Sequence, residues 1–345
     1  MKGVYLLRGV ITLSYIKRDL YFDNARVLLI FLVLLGHFIE PLIDQNSIIK
    51  SFYLLIYSFH MPAFIIISGY FSKNSRGFIA GFKNIILKLF IPYIVFQILY
   101  SIFDSFILKG NGIIVNFFTP YWIMWFLLSL MFWKLIVSLI TFSKKPLALL
   151  FVFAIAIMSG YIDEVGYLLS ISRTLIFFPF FLIGYFLKKK HFNALIFCMK
   201  KKYRIIISAL IFTICVIYFN YEDRVDPEWF YGSLSYLKLG YQEWFAGVYR
   251  VIVFLLNIIN TILFLWIVPT GKTSYSKLGE RTIYPYILHG FIVNILLVSG
   301  VYSYIYSYFE LLYLVAFSLV CLIVLSSNYT QKIFKVILEP DLLDG

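Results

Sequence analysis

Charge, histidine and cysteine are all scarce in this sequence. Asp, Glu, Lys and Arg make up 14% of its 345 residues, against 62% hydrophobic and 21% aromatic. Soluble domains carry about 25% charged and roughly 45–50% apolar residues, so a water-soluble globule is excluded. The three cysteines, Cys198, Cys215 and Cys321, lie in or beside apolar segments without metal-ligand spacing and read as small hydrophobes. Walker A, Gly-x-Ser-x-Gly, Cys/His metal and dinucleotide patterns are missing. Their lack argues against ATP-driven transport by this chain alone, and no metal site is expected. The alternation that a membrane β-barrel needs is missing too. The opening "MKGVYLLRGVITLSYIKRD" has no small-residue cleavage site and reads as a cytoplasmic, interfacial lead-in, not a cleaved signal.

What is abundant is apolar run. Windows long enough to cross a hydrocarbon core of about 30 Å recur along the chain. They predict an all-α polytopic membrane protein of about ten spans, near residues 25–42, 48–72, 85–107, 119–141, 146–161, 170–187, 203–220, 245–268, 281–301 and 309–327. One membrane domain, 25–327, then lies between a lead-in, 1–24, and a cytoplasmic tail, 328–345. The net charge of +13 is not a nucleic-acid signature, because the basic residues sit in short loops between the runs. Lys73, Arg76, Lys83, Lys88, Lys144, Lys145 and the cluster "LKKKHFNALIFCMKKKYR" fall on one side with the N-terminal basic residues. Asp163, Glu164, Glu222, Asp223, Asp226, Glu228 and Glu243 fall on the other. That asymmetry predicts both termini in the cytoplasm. The external stretch at about 220–244 is rich in Tyr, Trp and carboxylates, and suits either a sugar-binding lid or an ordinary interfacial belt.

Of four histidines, His37, His60 and His289 fall inside predicted spans; His191 lies in the basic loop and reads as solvated. A charge at membrane depth costs about 2.5–3.5 kcal/mol on insertion scales, so such residues face a bundle interior or a wet cavity. Each of the three is either a hydrogen-bonded core histidine or a functional one. Arg26 and His37 stand 37 − 26 = 11 positions apart, almost three turns. They therefore project from one helix face, about 16 Å apart along its axis. That face carries a cation at the inner mouth and a base deeper in, with Asp23 placed to hold the guanidinium by an i, i+3 pair. In "FHMPAFIIISGYF" (59–71), Pro62 is expected to break the helix ladder beside His60 and free carbonyls to line a cavity. Pro285 does the same before His289. Trp122 and Trp125 open a span on the outer side. Arg173 and Arg250, near outer span ends, are either functional or snorkelling.

Taken together, these stretches resemble the acyltransferase 3 family of integral-membrane O-acyltransferases, in the branch related to fucose 4-O-acetylase. The family hallmark is a basic residue, ten residues and a histidine in the first membrane helix, here Arg26 and His37 in "YFDNARVLLIFLVLLGHF". "FHMPAFIIISGYF" resembles its second-helix signature. "WFLLSLMFW", "FFPFFLIGYFLKK" and "LGERTIYPYILHGF" follow in the family's order, over roughly residues 18–300. Two departures stand out. Relatives with an extracytoplasmic esterase-like domain continue after the tenth helix, whereas this sequence ends at "EPDLLDG", which implies a membrane module acting alone or passing its acyl group to a partner. Where relatives carry an arginine pair before the third helix, this chain has "FKNIILKLFIPY", with lysines that lack the bidentate fork.

The resemblance implies transfer of an acetyl group from cytoplasmic acetyl-CoA, with no permanently bound cofactor, to a hydroxyl of a cell-surface or exported polysaccharide. Capsule and exopolysaccharide are favoured over teichoic acid and peptidoglycan. In that reading His37, Arg26 and His60 are catalytic, and Arg26, Lys73, Arg76, Lys83 and Lys88 hold the donor's phosphates. Trp122, Trp125, Arg173, Arg250 and His289 bind the glycan from the extracytoplasmic side. The partners are the lipid bilayer of the plasma membrane, the glycan and proteins of polysaccharide assembly; nucleic acid is not one. The alternative is an exporter of a polysaccharide intermediate with the histidines as proton-relay or gating groups; a membrane scaffold is a third reading.

Overall fold

Helix α1 (Leu20–Ile39) begins where a cap permits it. Asp19 Oδ1 accepts the Tyr21 N–H at 3.2 Å, so the helix starts before residue 25 and takes in the end of the predicted lead-in. The computed structural model describes residues 19–73, 78–107, 113–140, 142–221, 225–305 and 308–340. A 3₁₀ turn (Glu40–Leu42), enforced by Pro41, stops α1. Asn46 then caps α2 (Ser47–Tyr57), and α3 (His60–Phe71) follows after a two-residue break. Next come α4 (Phe78–Ile85), a π-helical turn (Ile86–Phe90), α5 (Ile91–Ile107), α6 (Trp125–Leu139) and α7 (Lys145–Met158). The second half holds α8 (Ile171–Phe186), α9 (Lys189–Phe197), α10 (Lys201–Tyr221), the short α11 (Glu228–Tyr231) and α12 (Ala246–Ile267). It closes with α13 (Ile283–Ser299), α14 (Tyr308–Leu325) and α15 (Asn328–Leu338).

Every regular element among the described residues is helical, and the chain is a multi-pass membrane protein. Seven helical stretches are long and apolar enough to cross a membrane, and the bent pair α14 and α15 makes an eighth if it is one span. The fifth and ninth predicted windows hold shorter apolar helices, Lys145–Tyr161 and Ile283–Ser299, where full-length spans were expected. The expected tail is helical at its start. Its first residues form α15, which turns 64° from α14, is capped by Ser327 and packs against α5 and α13. Tyr284 Oη donates to Glu339 Oε1 at 2.9 Å and pins its end. The break in the second span also differs from expectation. It falls at Ser58–Phe59, and Pro62 sits in the first turn of α3, where a missing N–H costs nothing.

Helix α1 runs through the centre, against α3, α13 and α14, with Leu29, Ile30, Leu34 and Phe38 fully buried. Large apolar side chains at helical spacing are exposed on the rim, such as Leu210, Ile214 and Ile217 on α10 and Ile252, Leu255 and Ile259 on α12. In water that would be untenable; against acyl chains it is the expected outer face. Hydrophobic burial does little to hold helices together inside lipid, so close packing of small residues has to. The tightest contact is between α3 and α8, where Gly69 lies against the Phe181 carbonyl and Gly184 against the Ile66 carbonyl. A Cβ at either position would run into rigid backbone. Trp133 Nε1 donates to the Thr174 carbonyl at 2.8 Å, and Ser129 and Thr174 hydroxyls pair at 2.7 Å, joining α6 to the same helix. Gly184→Val is therefore expected to destabilise the protein by about 1–3 kcal/mol, read as a lower thermal unfolding midpoint in detergent, whereas Leu210→Val on the lipid-facing rim leaves it nearly unchanged.

Candidate active site

The last turn of α1 presents His37, and the following 3₁₀ turn presents Glu40 on the same side. His37 Nδ1 lies 2.9 Å from Glu40 Oε2. A carboxylate only accepts, so Nδ1 carries the proton and the lone pair is left on Nε2. Gly36 leaves room for the Tyr57 ring; a Cβ there would stand 3.1 Å from Tyr57 Cε2. Tyr57 Oη consequently reaches 3.3 Å from His37 Nδ1. The Trp122 ring meets the imidazole edge-on at 4.5 Å and the His289 ring stacks on it at 5.2 Å.

The other two histidines have the same tautomer. His60 Nδ1 donates to the Ile56 carbonyl at 2.8 Å across the α2–α3 break. His289 Nδ1 donates to the carbonyls of Pro285 and Tyr286 at 3.0 and 2.7 Å. Both rings are buried, and His289 Nε2 has no protein partner. The break itself is stitched by Ser58, whose hydroxyl donates to Leu55 O and accepts from Asn260 of α12.

These side chains surround one cavity of about 270 Å³. His37, His60, His289, Trp122, Trp125 and Arg173 all line it, brought together from α1, α3, α13, the α6 entrance and α8. The segment Leu168–Ser170 lifts Tyr167 over Arg173 through two non-glycine residues at positive φ, Leu169 (49°) and Ser170 (53°). Such conformations cost about 1–3 kcal/mol each and persist where surrounding contacts dictate them; here the Leu169 N–H donates to Phe118 O at 2.5 Å. The connection between α10 and α12 supplies Phe230 and Tyr231 to the wall. Tyr231 Oη bonds Tyr53 Oη at 2.8 Å, and Tyr53 stacks on Tyr57 at 4.0 Å. Burial raises the Tyr231 hydroxyl pKa above its usual value, so it remains a neutral phenol.

A second cavity, of about 200 Å³, opens near the start of α1. Phe71, Lys73, Lys88, Lys134 and Tyr185 line it, with no carboxylate among its described walls. The π-helical turn carries Lys88 into it, and such turns are frequent at functional sites. Arg26 caps the neighbouring surface: its guanidinium stacks on Phe71 at 5.0 Å, pairs with Asp23 at 3.6 Å and donates to Gly279 O at 3.3 Å. Partial burial, then repulsion from Lys145 and Lys188, lowers the Lys73 pKa below the ordinary lysine value.

The chain matches the Acyl_transf_3 family, described as an acyltransferase domain, over residues 19–330. It belongs to the acyltransferase 3 family. Curated relatives include the nodulation protein NolL of Mesorhizobium japonicum, 28% identical over 184 residues, which cover 49% of this chain and 48% of that protein. NolL of Sinorhizobium fredii is 37% identical over 71 residues, covering 20% of this chain and 19% of that protein. The chain thus spans about half the length of the first relative it matches and a fifth of the second. No solved structure matches it.

In this acyltransferase 3 protein Arg26 lies toward the other end of α1 from His37, as their spacing predicts, beside the lysine cavity. Other expected site residues sit elsewhere. Lys83 is exposed on α4 and lines neither cavity, while Arg76 lies outside the described residues. Arg250 is fully buried away from the site, donating to Trp229 O at 2.6 Å and stacking under Trp229 and Tyr236. It holds the connection between α10 and α12 and does not line the cavity. Glu40, Tyr57, Tyr167 and Tyr231 were missed, as was Lys134. The spacing of Glu40 from His37 was a readable signal, as was a lone lysine in "WFLLSLMFWKLIV"; the tyrosines had none. If Glu40 holds His37 ready as a base, Glu40→Gln is expected to lower kcat for acyl transfer roughly 10²–10⁴-fold, the span a positioned base contributes, with the KM for the acyl donor unchanged in steady-state assays.

Proposed function

We propose that this protein is a membrane O-acetyltransferase that moves an acetyl group from acetyl-CoA to a hydroxyl of a cell-surface or exported polysaccharide, in the plasma membrane. The observation that carries the reading is the His37–Glu40 pair in a ring-lined cavity of an acyltransferase 3 chain. His37 Nε2 takes the proton of the acceptor hydroxyl. The oxygen attacks the thioester carbonyl, the C–S bond breaks, and the imidazolium returns its proton to the leaving thiolate. Glu40 stabilises the imidazolium as it forms. The rings of Trp122 and Trp125 give a sugar flat apolar faces, with polar edges nearby.

The lysine cavity suits the donor. Three ammonium groups without a carboxylate among the described walls favour phosphates, and the basic loops support a cytoplasmic position for that end. NolL's name ties that relative to nodulation; here the ring-lined cavity supports a sugar acceptor, and the family resemblance favours capsule and exopolysaccharide.

Two measurements test the proposal. Ester-linked acetyl on purified surface glycan, read by NMR, should vanish in cells carrying His37→Ala while the amount of exported glycan holds. Persistent acetylation with lost export would instead make the protein an exporter. Separately, Lys88→Ala and Lys134→Ala should each raise the KM for acetyl-CoA about tenfold, the worth of one charge-assisted contact. An unchanged KM in both would remove the donor from this cavity.

A further inference from the structure

The acceptor cavity holds a cation that the transfer chemistry leaves without a task. Arg173, in the first turn of α8, packs its guanidinium against two rings, 5.2 Å from the centre of Trp125 and 5.5 Å from that of Tyr167. Trp125 is itself backed by Phe177 at 5.5 Å. The Arg173 Nε donates to the Tyr231 carbonyl at 3.2 Å. With rings beside it and its Nε bonded to a carbonyl, the guanidinium keeps its two terminal nitrogens for a ligand. Arg173 forms part of the cavity wall.

No carboxylate lies within ion-pair distance of Arg173 among the described residues. The carboxylate in the described cavity wall, Glu40, is engaged by His37. A charged side chain in a membrane helix is costly and faces a bundle interior or a cavity; Arg173 has a carbonyl and two rings beside it but no carboxylate among the described residues. The fork is also held apart from the reacting imidazole. Trp122, Tyr57 and His289 surround His37, whereas Trp125 and Tyr167 hold Arg173. A guanidinium stacked on an aromatic ring with its fork free suits bidentate recognition of a carboxylate or phosphate, which a lysine cannot reproduce.

We propose that Arg173 binds an anionic group of the acceptor, so that the substrate is an acidic glycan bearing a carboxylate or a phosphate close to the hydroxyl that is acylated. The sugar then spans the cavity, its anion on Arg173 and its hydroxyl at His37. This assignment rests on the acetyltransferase reading for the hydroxyl's fate, and on the cavity alone for the anion.

The test uses the purified full-length protein in liposomes and three matched oligosaccharide probes: one of uronic acid residues, its neutral methyl ester, and a glucose oligosaccharide carrying one phosphate monoester. Binding is followed by tryptophan fluorescence, since Trp122 and Trp125 line the cavity, and transfer by labelled acetyl-CoA. The wild-type protein should bind one of the charged probes about 10- to 100-fold more tightly than the ester, and the charged probe preferred names the anion. In Arg173→Gln that preference should collapse toward unity, and in Arg173→Lys most of it should be lost. Equal binding of charged and neutral probes by the wild type overturns the proposal, whether or not the variants fold. So does an Arg173→Gln protein that keeps the preference while turnover falls equally on all probes, which would make the guanidinium a stabiliser of the transition state. An Arg173-dependent preference without acetyl transfer to any probe would keep the anion site and overturn the acetyltransferase reading.

Discussion

An imidazole inside an apolar helix is tolerated when its N–H has an acceptor, and that requirement shapes the whole histidine-lined cavity. His60 and His289 each meet it with a backbone carbonyl on the preceding turn, and His37 meets it with a carboxylate. In all three the proton is drawn to Nδ1, so the basic nitrogens are left for whatever occupies the space between them. The first two bonds are structural and anchor rings to their own helices. The third differs in kind, because an ionised partner stabilises positive charge that develops on the ring during a proton transfer.

The fold was legible at the level of apolar runs, and least so where helices bend or end. Asp19 moved the start of α1, Pro41 stopped it, and Ser327 turned the presumed tail into a docked helix. These are capping effects of single residues, which a hydropathy window averages away. The site was legible where a polar residue interrupts an apolar run: His37, His60, His289 and Arg173 all line the cavity. The same rule misplaced Arg250, because an arginine buried beside a carbonyl and two rings looks identical in sequence to one that lines the cavity. Tyr57, Tyr167 and Tyr231 were invisible among 28 tyrosines. Their roles arise from the Gly36 gap, the strained turn before α8 and the fold-back of the connection between α10 and α12, all of which are long-range or conformational.

The two cavities lie toward opposite ends of α1, with Arg26 beside one and His37 in the other. A motif of one basic residue and one histidine on a single helix face thus touches two compartments. Their walls differ in chemistry as well. Lysines without carboxylates surround the first, while rings, imidazoles and one guanidinium surround the second, as separate pockets for a phosphate-rich molecule and a sugar would require.

The tyrosine ladder from Tyr231 through Tyr53 to Tyr57 has a consequence for how such a protein can change. His37 and Glu40 belong to a central helix and the turn that ends it, where any exchange disturbs packing on several sides. Part of the cavity wall, Phe230 and Tyr231, is borrowed from a surface connection between α10 and α12, a kind of segment that accepts substitution and insertion far more readily. The chemistry of that wall can therefore drift by exchange of the connection while the histidines stay fixed, so one set of membrane helices can carry differently lined cavities in different lineages.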